Sequence, residues 1–285
     1  MRVCAFLVAS ALGVGCGLAE IAYPVPKIFA KAALVVDSTD GTILYEKHAD
    51  DKRAVASTQK LLTALIVSEA GGLDQKVKVE STDTRVEPSK VGLRTGGEYP
   101  RLLLLQSLLV KSGNDVARCL ARDHSGGQDA FRPVLNAKAR ELGMGDSYFV
   151  NAHGLTEDGQ ESTARDMAKL AIVAHRDEHI REAVQIESLE FPKKGWTDTF
   201  TNSNKILPLS FVSGMKTGFT NAAGRCLVSS GEYDGRQVIA VVLGSNDKYV
   251  WQDSESLLRW ALKVPADIGA PPEEAESDED RAEAS

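Results

Sequence analysis

Three short patterns in this sequence carry residue types that could do acyl-transfer chemistry. The first is Ser57-Thr58-Gln59-Lys60, where a hydroxyl and an amine lie three residues apart. On a helix that spacing puts both groups on one face. An amine lowered in pKa by burial or nearby positive charge can then take the proton from the serine. A helix start at Ser57 would add a positive field where an oxyanion forms. The second pattern is Ser112-Gly113-Asn114, and the third is Lys216-Thr217-Gly218. In the third, glycine leaves room for a ligand backbone to approach a strand.

None of these is specific alone. Ser213-Gly214-Met215-Lys216 and Ser245-Asn246-Asp247-Lys248 repeat the Ser-x-x-Lys spacing, and Arg94-Thr95-Gly96 nearly repeats the third pattern. Ser57 could equally be a helix N-cap, and Ser112–Asn114 an ordinary polar turn. The order of the three patterns and the elements that carry them decide the matter. Only Ser57 precedes a long apolar stretch, with Leu61, Leu62, Leu65 and Ile66 on one stripe and Gly71-Gly72 ending it.

The surrounding elements follow from periodicity. Ala32–Asp37 and Thr42–Tyr45 read as a hairpin around Ser38–Gly41. Leu102–Val110, Asp115–Asp123, Ala130–Leu142 and Thr163–His175 read as helices, the last capped by Ser162 or Thr163. After Gly195 the period becomes two. Strands are expected at Lys216–Phe219, Cys226–Ser230 and Val238–Leu243, then a helix over Trp251–Leu262. The fold class is therefore mixed α/β of the α+β kind. Both chain ends build one antiparallel sheet flanked by helices, around a mostly helical insert.

In this order and on these elements, the three patterns resemble the motifs of penicillin-recognising enzymes. Asn151–Leu155, Ser162–Asp166 and Lys216–Gly224 narrow the resemblance to D-alanyl-D-alanine carboxypeptidases among the low-molecular-mass penicillin-binding proteins. It runs from about Lys31 to Leu262 and implies a β-lactamase/transpeptidase-like fold. It also implies that Ser57 attacks the carbonyl between two D-alanines of a peptidoglycan stem peptide, and that β-lactams inhibit covalently. By the same resemblance Lys60 is the general base, and Ser112 with Lys216 passes the proton to the leaving amine. Asn114 bonds the substrate amide and Thr217 its carboxylate. The N–H groups of Ser57 and Phe219, beside Gly218, form the oxyanion hole.

Three departures from the family pattern stand out. Val250 falls where an arginine often pairs with the substrate carboxylate, leaving Lys248 or Arg225 as substitutes. A lysine does not reproduce a bidentate guanidinium contact. An acidic tail stands where many members carry a β-rich domain and an amphipathic membrane helix, so a soluble mature enzyme without a stable anchor is expected. There is no convincing counterpart of the deacylating glutamate of class A β-lactamases; Glu157 and Glu161 have other surroundings. A DD-endopeptidase or β-lactamase on the same scaffold is the alternative, and a non-catalytic β-lactam sensor or wall-binding module is the alternative of another class.

Composition sets the limits. The chain has 285 residues, is 43% hydrophobic and carries a net charge of −7. Residues 271–285 hold seven acids and one base, so the body is nearly neutral and gives no electrostatic case for nucleic acid. Arg2 followed by the apolar run Val3–Val14 and by Gly17-Leu18-Ala19 reads as an export signal cut after Ala19. Gly13 three residues before Cys16 argues against lipidation. The expected divisions are a signal at 1–19, a catalytic domain at 20–265 and an acidic disordered tail at 266–285, with a periplasmic or extracytoplasmic location. Cys119 and Cys226 read as buried free thiols. His48, His124, His153, His175 and His179 lack metal-ligand spacing, so neither metal nor cofactor is expected, and His153 reads as structural.

Overall fold

The computed structural model describes residues 24–268. The expected signal at 1–19 lies outside them, as does all but the start of the tail at 266–285. Five strands form one antiparallel sheet in the order β2-β1-β9-β8-β7: β1 Ala32–Asp37, β2 Ile43–Lys47, β7 Val212–Thr220, β8 Gly224–Tyr233 and β9 Arg236–Ser245. Both chain ends do build it. Because side chains alternate across a strand, β1 and β9 feed two cores at once. Leu34, Val36, Ile239 and Val241 face one; Val35, Val238, Ala240 and Val242 face the other.

The second core is closed by α7, Tyr249–Leu262, through Val250, Leu257 and Leu258. The first core receives the insert: α1 Lys60–Glu69, α2 Arg101–Val110, α3 Asn114–Ser125, α4 Gln128–Glu141, α5 Ala164–Arg176 and α6 Glu178–Val184. Two small hairpins accompany it, β3 Lys76–Lys78 with β4 Glu98–Pro100, and β5 Ser188–Pro192 with β6 Thr197–Thr201. Thr163 is the cap of α5, accepting the Asp166 N–H. No described helix is long and apolar enough to cross a membrane.

Three sequence expectations are corrected. Ser57 does not open the α-helix; it sits in a 3-10 turn, Ala56–Gln59, that leads into α1. Burial of α1 is not confined to the stripe of Leu61, Leu62, Leu65 and Ile66 either: every residue from Lys60 to Ser68 is buried, because α1 runs through the middle of the insert. Lys216 stands mid-strand in β7 rather than at its start.

Candidate active site

Ser57 lies where the insert meets the edge of the sheet, facing β7. The approach is close. A Cβ on Gly218 would come within 2.9 Å of the Ser57 amide nitrogen, and one on Gly154 within 2.2 Å of the Ala56 carbonyl oxygen. Glycine at 218 therefore lets the strand touch the turn that carries Ser57. Gly154 also has φ +87°, which other residues rarely adopt.

Lys60 is fully buried, and its Nζ donates at 2.7 Å to three neutral acceptors: Ser57 Oγ, Asn114 Oδ1 and the His153 carbonyl. No carboxylate pairs with it among the described residues. Burial pulls its pKa well below 10.5, the charge of Lys216 pulls further, and Asp115 opposes. An amine held in this way beside a hydroxyl can serve as a base near neutral pH.

Asn114 is fixed from behind, its Nδ2 donating to the Glu87 and Pro88 carbonyls. Lys216 is buried too. Its Nζ donates to the Thr217 carbonyl at 3.1 Å, and burial lowers its pKa to about 7. Ser57, Ser112, Asn114, Thr217, Gly218 and Phe219 line one cleft of about 750 Å³. Ser112 reaches it with φ 65°, a left-handed conformation that costs a non-glycine residue roughly 1–2 kcal/mol. Its hydroxyl makes no hydrogen bond among the described residues. Thr217 Oγ1 lies 2.6 Å from Ser203 Oγ.

All eight sequence-predicted residues thus gather at one place, and the competing patterns do not. Ser213 hydrogen bonds Ser230 on β8, and Ser245 bonds Asp253. Lys248 lies against the Tyr249 ring rather than on the cleft wall. Val250 lines the cleft and packs into the second core. Arg225 does reach the cleft, stacked on the Phe219 ring at 4.3 Å and paired with Asp247 at 2.5 Å.

Several positioning groups escaped sequence reasoning. The carbonyls of Asn151, Ala152 and His153 accept from Gln59, Thr63 and Lys60, so three consecutive residues are tied to the start of α1. The buried carboxylate of Asp115 accepts the N–H groups of Val91, Gly92 and Leu93, which shapes the loop before β4. No pattern marks a carbonyl as an acceptor. Asp115 adjoins Asn114, the one signal that was available. His153 is structural as expected: its Nδ1 accepts the Leu155 N–H, and burial with the nearby Lys60 charge lowers its pKa to about 3. Cys119 and Cys226 are free and buried.

A serine beside a buried neutral-acceptor lysine, at the junction of an antiparallel sheet and a helical insert, defines a serine acyl-transfer enzyme of the penicillin-binding, transpeptidase-like class. The D-alanyl-D-alanine carboxypeptidase family profile matches residues 19–247. The chain is 34% identical to the D-alanyl-D-alanine endopeptidase of Escherichia coli K12, over 85% of this chain and 81% of that one. It is 31% identical to the carboxypeptidase DacF of Bacillus subtilis 168, over 76% of this chain and 58% of that one. The solved D-alanyl-D-alanine carboxypeptidase of Mycobacterium tuberculosis H37Rv superposes with a TM-score of 0.81 at 28% identity, covering 87% of this chain and 96% of that one. The chain belongs to the D-alanyl-D-alanine carboxypeptidase family of serine hydrolases, which act on peptidoglycan peptides.

Proposed function

We propose that Ser57 is the acylated nucleophile of an exported enzyme that removes the terminal D-alanine from stem peptides. The observation that carries this reading is the Lys60 amine, 2.7 Å from Ser57 Oγ and free of any acidic partner among the described residues. Neutral Lys60 takes the hydroxyl proton as Oγ bonds to the carbonyl carbon. The N–H groups of Ser57 and Phe219 hold the oxyanion, a contribution of about 3 kcal/mol per donor. The C–N bond then breaks, and Lys60 returns the proton through Ser112 and Lys216 to the leaving amine. Water hydrolyses the ester and restores Ser57. Asn114 bonds the substrate amide and Thr217 the terminal carboxylate.

The same chemistry makes β-lactams covalent inhibitors. Ser57→Ala should abolish labelling by a fluorescent penicillin; a label that persists on the variant assigns the nucleophile elsewhere. The segments 1–19, 20–265 and 266–285 serve as export signal, catalytic domain and acidic tail, and place the mature enzyme in the periplasm or outside the cell.

Arg225 takes the part of the missing arginine beside Val250. Its guanidinium exchanges Asp247 for the substrate carboxylate. Arg225→Ala is expected to raise KM for diacetyl-Lys-D-Ala-D-Ala about tenfold, the worth of one charge-assisted bond. An unchanged KM leaves the carboxylate to Thr217 alone.

A second reading is favoured by the 34% identity to the D-alanyl-D-alanine endopeptidase of Escherichia coli K12. In DD-endopeptidase action the leaving group is itself a stem peptide, and Lys111, Lys205 and Trp251 line the cleft beside Ser57 and Thr217. Incubation with cross-linked muropeptide dimers decides: conversion to monomers supports this activity, and release of D-alanine alone excludes it.

A further inference from the structure

The cleft holds a second hydroxyl beside that of Thr217. Ser203 lines the same cleft, and its Oγ lies 2.6 Å from Thr217 Oγ1. Neither hydroxyl has another hydrogen-bond partner among the described residues. Each can donate one hydrogen and accept others. Two hydrogens therefore share one bond, and the second is left for a ligand. The ligand decides which of the two it is.

Ser203 is held in place independently of that bond. It follows β6 in a short loop fastened on both sides. The Asn202 Nδ2 donates to the Ile186 carbonyl at 2.8 Å, the Asn202 backbone N–H donates to the Glu187 carbonyl at 2.7 Å, and the Asn202 Oδ1 accepts the Asn204 N–H. The Ser203 N–H donates at 3.3 Å to the carbonyl of Val110, two residues before Ser112. The loop thus fixes the Ser203 hydroxyl between the end of α2 and β7 by means of backbone groups and Asn202. Thr217 has no such side-chain anchor apart from Ser203. Its hydroxyl and its methyl share one Cβ, so rotation about χ1 would exchange one for the other.

We propose that Ser203 is a positioning residue that makes Thr217 selective for a free carboxylate; this rests on the proposed reading of Thr217 as the carboxylate contact. An ionised carboxylate accepts and never donates. When it arrives, Thr217 gives it its hydrogen, and Ser203 gives its own to Thr217 Oγ1. The two hydroxyls then point one way, in a chain that ends on the ligand. Each bond in such a chain polarises the next. A last bond that ends on a charge gains more from this than one that ends on a neutral carbonyl. Acting through Thr217, Ser203 therefore separates substrates that end in a carboxylate from those that end in an amide.

The test compares diacetyl-Lys-D-Ala-D-Ala with the same peptide ending in D-alaninamide. In Ser203→Ala, kcat/KM for the acid should fall about fivefold to tenfold, mostly through KM, and that for the amide far less. Ser203→Thr, which restores a hydroxyl, should recover the preference for the acid. In a Thr217→Val background, Ser203→Ala should cost nothing further, as expected of a residue that acts through another. Because backbone groups and Asn202 hold the loop, Ser203→Ala should keep the wild-type unfolding midpoint. Equal losses for acid and amide, or an undiminished loss in the Thr217→Val background, overturn the proposal and leave Ser203 a packing residue. An unchanged preference for the acid in Ser203→Ala overturns it as well, with the reading of Thr217 intact. If the wild type shows no preference for the acid, or Thr217→Val retains that preference in full, the reading of Thr217 fails and that of Ser203 with it.

Discussion

At the scale of single residues, the centre depends on two buried lysines kept apart in role. Lys60 touches Ser57, and Lys216 acts on it through charge. Burial is the larger cause of the low Lys60 pKa, and the Lys216 charge the second. Removing that charge raises the Lys60 pKa, because one of the forces against protonation disappears. Acylation needs the neutral amine, so its rate climbs as pH rises through that pKa. Lys216→Met should therefore move the rising limb of the penicillin acylation profile to higher pH, as well as weakening it. A limb that stays in place, with only a lower plateau, would confine Lys216 to substrate contact. Lys60→Met should slow acylation about 10²- to 10⁴-fold at all pH values, the usual worth of a positioned general base.

At the scale of elements, the site is made by contact between a 3-10 turn and an edge strand. Gly218→Ala would push a methyl group to 2.9 Å from the Ser57 amide and 3.0 Å from that of Thr58, both backbone atoms. The turn or β7 must shift, at about 1–3 kcal/mol. The expected result is a lowered melting temperature together with loss of penicillin labelling; wild-type labelling in a stable Gly218→Ala protein would show that the contact is slack. This contact explains what the sequence disclosed and what it hid. Strong local periodicity revealed β1, β2, β8, β9 and α2 to α5, and Ser57, Ser112 and Lys216 announced themselves by side-chain chemistry. The 3-10 turn was hidden because its shape comes from packing against Gly154 and Gly218, far away in sequence. The short α6 and the β5–β6 hairpin were missed for a related reason. Seven residues hold barely two helical turns, and Lys193–Trp196 between the strands lacks a two-residue turn signature. The role of Asn151–His153 rests on carbonyl groups that every residue possesses.

At the scale of the whole molecule, burying an ionisable group ties stability to pH. Lys216 has its pKa lowered from 10.5 to about 7 by burial alone. Below pH 7 it is protonated in both the folded and the unfolded chain, and the folded state bears the full cost of a buried charge. Between pH 7 and 10.5 the unfolded chain binds more protons at this position than the folded one. Linkage then makes stability rise with pH across that window. The cost relieved is on the order of 5 kcal/mol, from about 1.4 kcal/mol per pKa unit. Cys226 works in the opposite sense, since burial raises its thiol from 9.0 to about 11 and stability is lost as pH climbs between those values. A direct pH scan of the wild type mixes these with other buried groups, Lys60 and His153 among them, whereas comparison with Lys216→Met reports Lys216 together with its effect on the Lys60 pKa. The variant should be more stable than wild type at pH 6, and the gap should narrow steadily as pH rises from 7 toward 10. Denaturant midpoints at each pH measure it. A gap constant with pH would mean that Lys216 keeps its proton in the folded state, with water or a counter-charge reaching it inside the sheet edge.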